Sequence, residues 1–157
     1  GLTLHPDKTR LIEFRRPNLW DEEKPKVSFD FLGFTHLWGR SRKGGWILMQ
    51  HTAQSRLSRA LARITQWCRE NRHRSLRIQH QMLSWKLRGH YAYFGLTGNF
   101  ERLKCFRDEV RRIWRKWLDR RSRHADMTWE CFQRLEAHYA LPRAAVVHSI
   151  YPRAANP

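Results

Sequence analysis

Two periods of apolar residues divide the chain. Up to about residue 51 the apolar positions come in short alternating runs, and from about Thr52 they recur every three or four residues. In the first part, Lys8-Thr9-Arg10-Leu11-Ile12-Glu13-Phe14 alternates well enough to predict a short strand. Residues 15–26 are polar, carry Pro17 and Pro25, and read as a loop. Val27 to Thr35 alternates again before turning fully apolar, and Trp46-Ile47-Leu48-Met49 is a second apolar run. Between them Gly39-Arg40-Ser41-Arg42-Lys43-Gly44-Gly45 has strong glycine turn signals. Together they predict a β-hairpin with a basic tip.

The second part predicts four helices. Leu57, Leu61, Ile64 and Cys68 form one stripe, with Arg56, Arg59, Arg63 and Arg69 off it and Thr52 or Ser55 as the cap. A basic connection, 71–75, leads to a second helix from about Leu76 to Phe94, with Leu83, Leu87, Tyr91 and Phe94 inward. Gly95 to Gly98 breaks it. Asn99 caps a third helix, with Glu101 in its first turn and an inward stripe of Leu103, Phe106, Val110, Ile113 and Trp117. A short fourth helix runs from about Trp129 to Tyr139 with Trp129, Phe132 and Leu135 inward, ended by Leu141-Pro142, and the tail reads as irregular. The expected fold is α+β: a short β-hairpin element (1–51), then a basic helical bundle (52–125), then an appended helix and tail (126–157). Each stripe covers one face only, so the three main helices must pack on one another, arginine faces outward.

One residue interrupts this pattern. Gly89 falls in the middle of the second helix, opposite its buried stripe, between Lys86 and Arg88 and the aromatic end of the helix. A glycine there costs about 1 kcal/mol relative to alanine, which close approach of a neighbouring helix or a phosphate backbone would offset.

Charge turns the helical pattern into a statement about partners. The chain has 31 Lys and Arg against 14 Asp and Glu, a net charge of +17. Residues 1–52 hold nine basic and six acidic residues, 53–125 hold nineteen and five, and 126–157 hold three and three, for net charges of +3, +14 and 0. A polyanion, nucleic acid above all, is expected to meet the middle of the chain. Eight tryptophans argue against a disordered basic tail. No apolar run approaches the roughly 18 to 20 residues that span a membrane, and no signal peptide is visible at Gly1. The structured look of the chain from a first residue that is not Met reads as a piece of a longer protein.

The residue types exclude several chemistries. Cys68, Cys105 and Cys131 are odd in number and widely spaced, which points to a reducing, cytoplasmic compartment without a disulfide framework. No C-x-x-C or H-x-x-x-H pair supports a zinc site. No Gly-rich phosphate loop appears. Asp7 and Asp30 do not form a carboxylate pair spaced for two metals, so a complete active site is not expected. Lys8 remains a candidate phosphate contact.

Three motifs in order carry a resemblance that spans nearly the whole chain. Gly1-Leu2-Thr3-Leu4-His5-Pro6-Asp7-Lys8-Thr9, then Phe29-Asp30-Phe31-Leu32-Gly33-Phe34, resemble the end of the palm of group II intron reverse transcriptases. Leu87-Arg88-Gly89-His90-Tyr91-Ala92-Tyr93-Phe94 resembles the maturase, or X, domain that follows as the thumb. Residues 141–157 are similar to the same family, less specifically. The resemblance implies an RNA-directed DNA polymerase that also helps its intron splice. It implies that Lys8 assists phosphoryl transfer, that Phe31, Leu32, Gly33 and Phe34 form the primer grip, and that the bundle holds template-primer and intron RNA. The family's Tyr-Ala-Asp-Asp segment is not in this sequence, so magnesium belongs to the full-length family and this chain alone is expected not to polymerise. The palm and fingers would come from elsewhere.

From charge and helical phase, the expected nucleic-acid contacts are Arg56, Arg59, Arg63, Lys86, Arg88, Arg111, Arg112, Arg115 and Lys116. The alternatives are a general basic DNA- or RNA-binding module and a non-functional remnant of a degenerate intron gene.

Overall fold

The computed structural model describes residues 9, 11–18, 20, 27–122 and 126–149. Three strands are followed by four helices: β1 (Ser28–Phe31), β2 (Phe34–Arg40), β3 (Trp46–Thr52), α1 (Gln54–Glu70), α2 (Leu76–Phe94), α3 (Phe100–Asp119) and α4 (Trp129–His138). The fold is α+β, a small antiparallel sheet leading into a helical bundle.

The sheet has one turn more than its pattern predicts. The expected single run from Val27 to Thr35 is cut by Leu32 and Gly33, whose φ angles are +49° and +84°. Two left-handed residues make the tight turn that matches strand twist, so β1 folds back on β2 with Phe31 opposite Phe34. β2 then pairs with β3 from Phe34↔Thr52 to Arg40↔Trp46, giving the order β1-β2-β3. Alternation misses this turn because a leucine stands where glycine or asparagine is usual. The basic tip forms as expected, closed by Ser41 N–H to the Gly45 carbonyl (2.8 Å) and Gly44 N–H to the Ser41 carbonyl (3.0 Å).

The strand expected over 8–14 is a correction. Thr9 and residues 11–14 lie in no strand, and Lys8 and Arg10 are outside the described residues. Alternation without a partner ladder does not make a strand. Phe14 nonetheless stacks on Trp38 (5.3 Å between centroids) and meets Phe29 edge-on (4.9 Å).

The helices start and end close to expectation, but their caps differ. α1 begins at Ala53 without a side-chain cap. Neither Thr52 nor Ser55 caps it, because Thr52 is buried in a bond with another element. Asn99 occupies the N-cap position of α3 but turns its side chain away. Its Oδ1 accepts from Thr52 N–H (2.9 Å), and its Nδ2 donates to Thr52 Oγ1 (2.8 Å) and to the Phe94 carbonyl (2.7 Å). The fully buried Asn99 therefore ties the end of the sheet to the corner between α2 and α3. Ser75 and Thr128 do cap α2 and α4.

One core joins all four helices, from Leu57 and Ile64 through Leu83 and Leu87 to Phe106, Val110 and Phe132. On α3 the buried positions after Val110 are Trp114 and Leu118, not the expected Ile113 and Trp117, which are only half-buried. Trp114 is drawn inward by two partners: its indole N–H donates to Gln79 Oε1 of α2 (2.9 Å), and Phe132 of α4 meets its ring edge-on (5.7 Å). A buried indole needs such an acceptor, and α4 closes the other side. Trp129 is also a correction: it is 43% exposed, under the Arg115 guanidinium.

The tail is irregular in form but pinned in place. The Pro142 carbonyl accepts from Arg107 Nε (3.1 Å) and from the Tyr91 hydroxyl (3.3 Å). The Gly95 carbonyl accepts from both Val147 and His148 N–H (2.8 Å each). A Cβ on Gly95 would stand 2.3 Å from the Tyr91 carbonyl and 3.1 Å from Val147 N, so only glycine lets the tail lie there.

Candidate nucleic-acid interface

Burying Leu57, Ile64 and Cys68 forces Arg56, Arg59 and Arg63 onto the outer side of α1. They do not face open solvent alone. With Leu32 and Gly33 of the β1–β2 turn and Tyr93 and Phe94 at the end of α2, they line a groove of about 350 Å³. Two groups singled out separately in the sequence, the turn and the first-helix arginines, thus share one site.

The turn is held by its surroundings. The Tyr93 hydroxyl donates to the Leu32 carbonyl (2.9 Å), and the Ala53 N–H donates to the Gly33 carbonyl (2.9 Å). Leucine with φ near +50° is unfavourable by itself, so these two bonds offset the strain. They leave Leu32 (68% exposed) beside the arginines in the groove, whereas Phe31, also exposed, lines a separate recess with Phe14 and Phe29. Phe34 turns inward instead, parallel to the Tyr93 ring at 5.9 Å and edge-on to Phe94 at 5.2 Å, and supports the turn from beneath. Tyr93 is the site residue that sequence reasoning missed. Its signal was its phase: an aromatic two positions past Tyr91 cannot share the buried stripe.

The electrostatics of this surface are one-sided. Between Ala53 and Phe100 stand Arg56, Arg59, Arg63, Arg69, Arg72, Arg74, Arg77, Lys86 and Arg88, with Glu70 the lone acid. Glu70 accepts from Gln66. Arg56, Arg59, Arg63 and Arg88 make no ion pair among the described residues. Lys86 is half-buried, its ammonium 5.8 Å from the centre of the Trp67 ring, where it bridges α2 to α1. The outer face of α2 adds exposed Ile78 and Trp85. A Cβ on Gly89 would meet nothing within 4 Å. No neighbouring helix therefore explains that glycine.

The arginines of α3 are placed differently. Arg111 forms a two-pronged pair with Glu136 of α4, its Nε 2.6 Å from Glu136 Oε1, and a longer contact with Asp108. This pair holds the Arg111 proton still more firmly than usual. Arg112 pairs with Glu109, and Arg115 donates to the Met127 carbonyl while its guanidinium lies over the Trp129 ring. Lys116 is exposed. Arg111 and Arg115 are drawn to α4, Arg112 stays on α3, and none of the four lines the groove. Lys8 lies outside the described residues.

Among the described residues no three His, Cys, Asp or Glu side chains gather as metal ligands. Asp30 accepts from the Thr35 hydroxyl (2.6 Å). These donors do not fit a two-metal site, so no catalytic step is assigned here. Cys68 is buried, and burial pushes its thiol up to about 12, a value that keeps it unreactive. No helix among the described residues is long and apolar enough to cross a membrane.

No protein-family model, curated protein or solved structure matches this chain significantly. The resemblance to group II intron reverse transcriptases accordingly rests on the three sequence motifs.

Proposed function

We propose that the chain is a nucleic-acid-binding module whose interface is the groove between the β1–β2 turn, α1 and the end of α2, together with the outer face of α2. The observation that carries this reading is the row Arg56, Arg59 and Arg63, unpaired among the described residues, on a surface whose lone acid is Glu70. Arginine forks match phosphate oxygens with two parallel hydrogen bonds. Exposed aromatic and apolar side chains beside them give sugars and bases a surface to rest on. Open space over Gly89 admits a backbone at close range.

The motif resemblance refines the proposal: the polyanion is group II intron RNA and template-primer, and the chain is the palm end and maturase thumb of a group II intron-encoded reverse transcriptase, promoting splicing and reverse transcription in the full protein. In that reading the turn of Phe31, Leu32, Gly33 and Phe34 holds a primer end, and the magnesium-binding carboxylates lie in a preceding palm segment.

The test is binding of the purified chain to a folded group II intron RNA, an unrelated structured RNA and a DNA duplex across a salt series. A preference for intron RNA that persists at higher salt supports the maturase reading. Equal and steeply salt-dependent binding to all three reduces it to a general basic module. Failure to bind any of them, by a folded chain, overturns it.

A further inference from the structure

The basic tip between β2 and β3 belongs to no part of the groove, yet it is built as carefully. Arg40 lays its guanidinium 4.0 Å from the centre of the Trp46 ring, and its NH1 donates to the Gly44 carbonyl (2.7 Å). Trp46 is itself buried, its indole N–H held by the Asn18 carbonyl (2.8 Å). Gly39 leaves room nearby for Met49, whose flexible thioether Sδ would stand 2.1 Å from a Cβ there and have to move. At the end of this braced ribbon Arg42 and Lys43 are exposed, and neither makes an ion pair among the described residues. The acid within residues 27–52 is Asp30, engaged with Thr35 at the opposite end of the sheet.

The register fixes where this tip stands relative to the groove. Phe34, His36, Trp38 and Arg40 alternate onto one face of β2, opposite Thr52, Gln50, Leu48 and Trp46. Phe34 at one end of that face packs under Tyr93 and Phe94, which line the groove, and Arg40 closes the other end. The seven residues of β2 span about 20 Å at roughly 3.3 Å each. Phe14 stacks on Trp38 in between, so the middle of the face is covered. Tip and groove therefore stand at opposite ends of one sheet face, with its middle covered.

We propose that the β2–β3 tip, through Arg42, Lys43 and the stacked Arg40, is a second polynucleotide phosphate contact that engages the same nucleic acid as the groove. This rests on the nucleic-acid reading of the groove. The two sites lie beyond the ends of a strand about 20 Å long, so a ligand that reaches both needs at least roughly six base pairs, at about 3.4 Å per pair. Shorter ligands reach one contact only, and longer ones engage both.

The experiment compares the parent chain with Arg42→Ser/Lys43→Ser, which leaves the Arg40–Trp46 stack in place, and circular dichroism verifies folding. The probes are RNA hairpins with stems of about 4 and about 14 base pairs and the same closing loop, chosen to fall below and above that span. The expected result is a loss of roughly tenfold for the long stem near 0.1 M salt, at up to about 0.9 log units per phosphate contact, and no change for the short one. An equal loss on both stems overturns the proposal, because the tip would then act through its general field. No loss on either also overturns it. Absence of binding by the parent chain overturns this inference and the groove reading together, whereas parent binding without length dependence in the variant overturns this inference alone.

Discussion

The α1–α2 surface and the α3–α4 seam hold comparable numbers of basic residues and use them oppositely. Nine lie between Ala53 and Phe100 with one acid, Glu70. Ten lie between Glu101 and residue 125, but there Glu101, Asp108, Glu109 and Asp119 accompany them, and α4 brings Glu136. Several of the seam's arginines are held by acids or carbonyls: Arg111 by Glu136, Arg112 by Glu109, Arg115 by the Met127 carbonyl. The α1–α2 surface leaves Arg56, Arg59, Arg63 and Arg88 without an ion pair among the described residues. Net charge measures the supply of cations, and only the placement of acids decides which of them remain available.

The largest expected effect tests the available set. Arg56→Ala/Arg59→Ala/Arg63→Ala should lower the slope of log affinity against log salt by about three, near one unit for each phosphate no longer neutralised, with little change in thermal stability. An unchanged slope, measured by fluorescence anisotropy on a structured RNA, would remove α1 from the interface.

Arg111→Ala should do the converse. It strands a Glu136 side chain that is only 13% exposed, and leaving a mostly buried charge unpaired costs about 2–3 kcal/mol. Urea unfolding should show that loss, while the salt slope stays near the parent value. A large fall in slope with unchanged stability would return the α3 arginines to the interface.

A pH effect probes the core that joins the surface to the seam. His90 lies between α2 and α3 with its ring 3.8 Å from that of Phe106, and burial pushes it down to about 4. The unfolded chain takes up a proton near pH 6.5, and the folded chain refuses it until about 4. The His90 contribution to stability should therefore be constant above about pH 7 and fall as pH drops from about 6.5 toward 4. Because the ring is partly exposed, a loss of about 1–2 kcal/mol by pH 5 is expected, and His90→Phe should flatten the dependence. A pH-independent urea midpoint in the parent would contradict the buried neutral imidazole.

The smallest effect is the sharpest for the surface. Gly89→Ala adds a Cβ that meets nothing, so the isolated chain should gain up to about 1 kcal/mol. If a backbone approaches there, RNA affinity falls despite that gain. Greater stability with undiminished affinity would show that Gly89 admits no ligand.

Much of this molecule follows from local pattern. The limits of α2, the stripes of α1 and α2 and the basic tip are set by residue periodicity and turn residues, because helical phase and glycine conformation act within a few neighbouring positions. The α+β order follows from the change of period at Thr52. Local pattern could not show that Leu32 would adopt a left-handed turn, because the bonds that hold it there come from Tyr93 and Ala53, far along the chain. Nor could it show that Trp114 would displace Ile113 from the core, since Gln79 and Phe132 decide that from other helices. The roles of the arginines belong to the same class. Composition fixed a positive middle for the chain, but an arginine's availability depends on whether a carboxylate lies within a few ångströms, and that distance is set by the packing of α4 on α3 and of the sheet on α2.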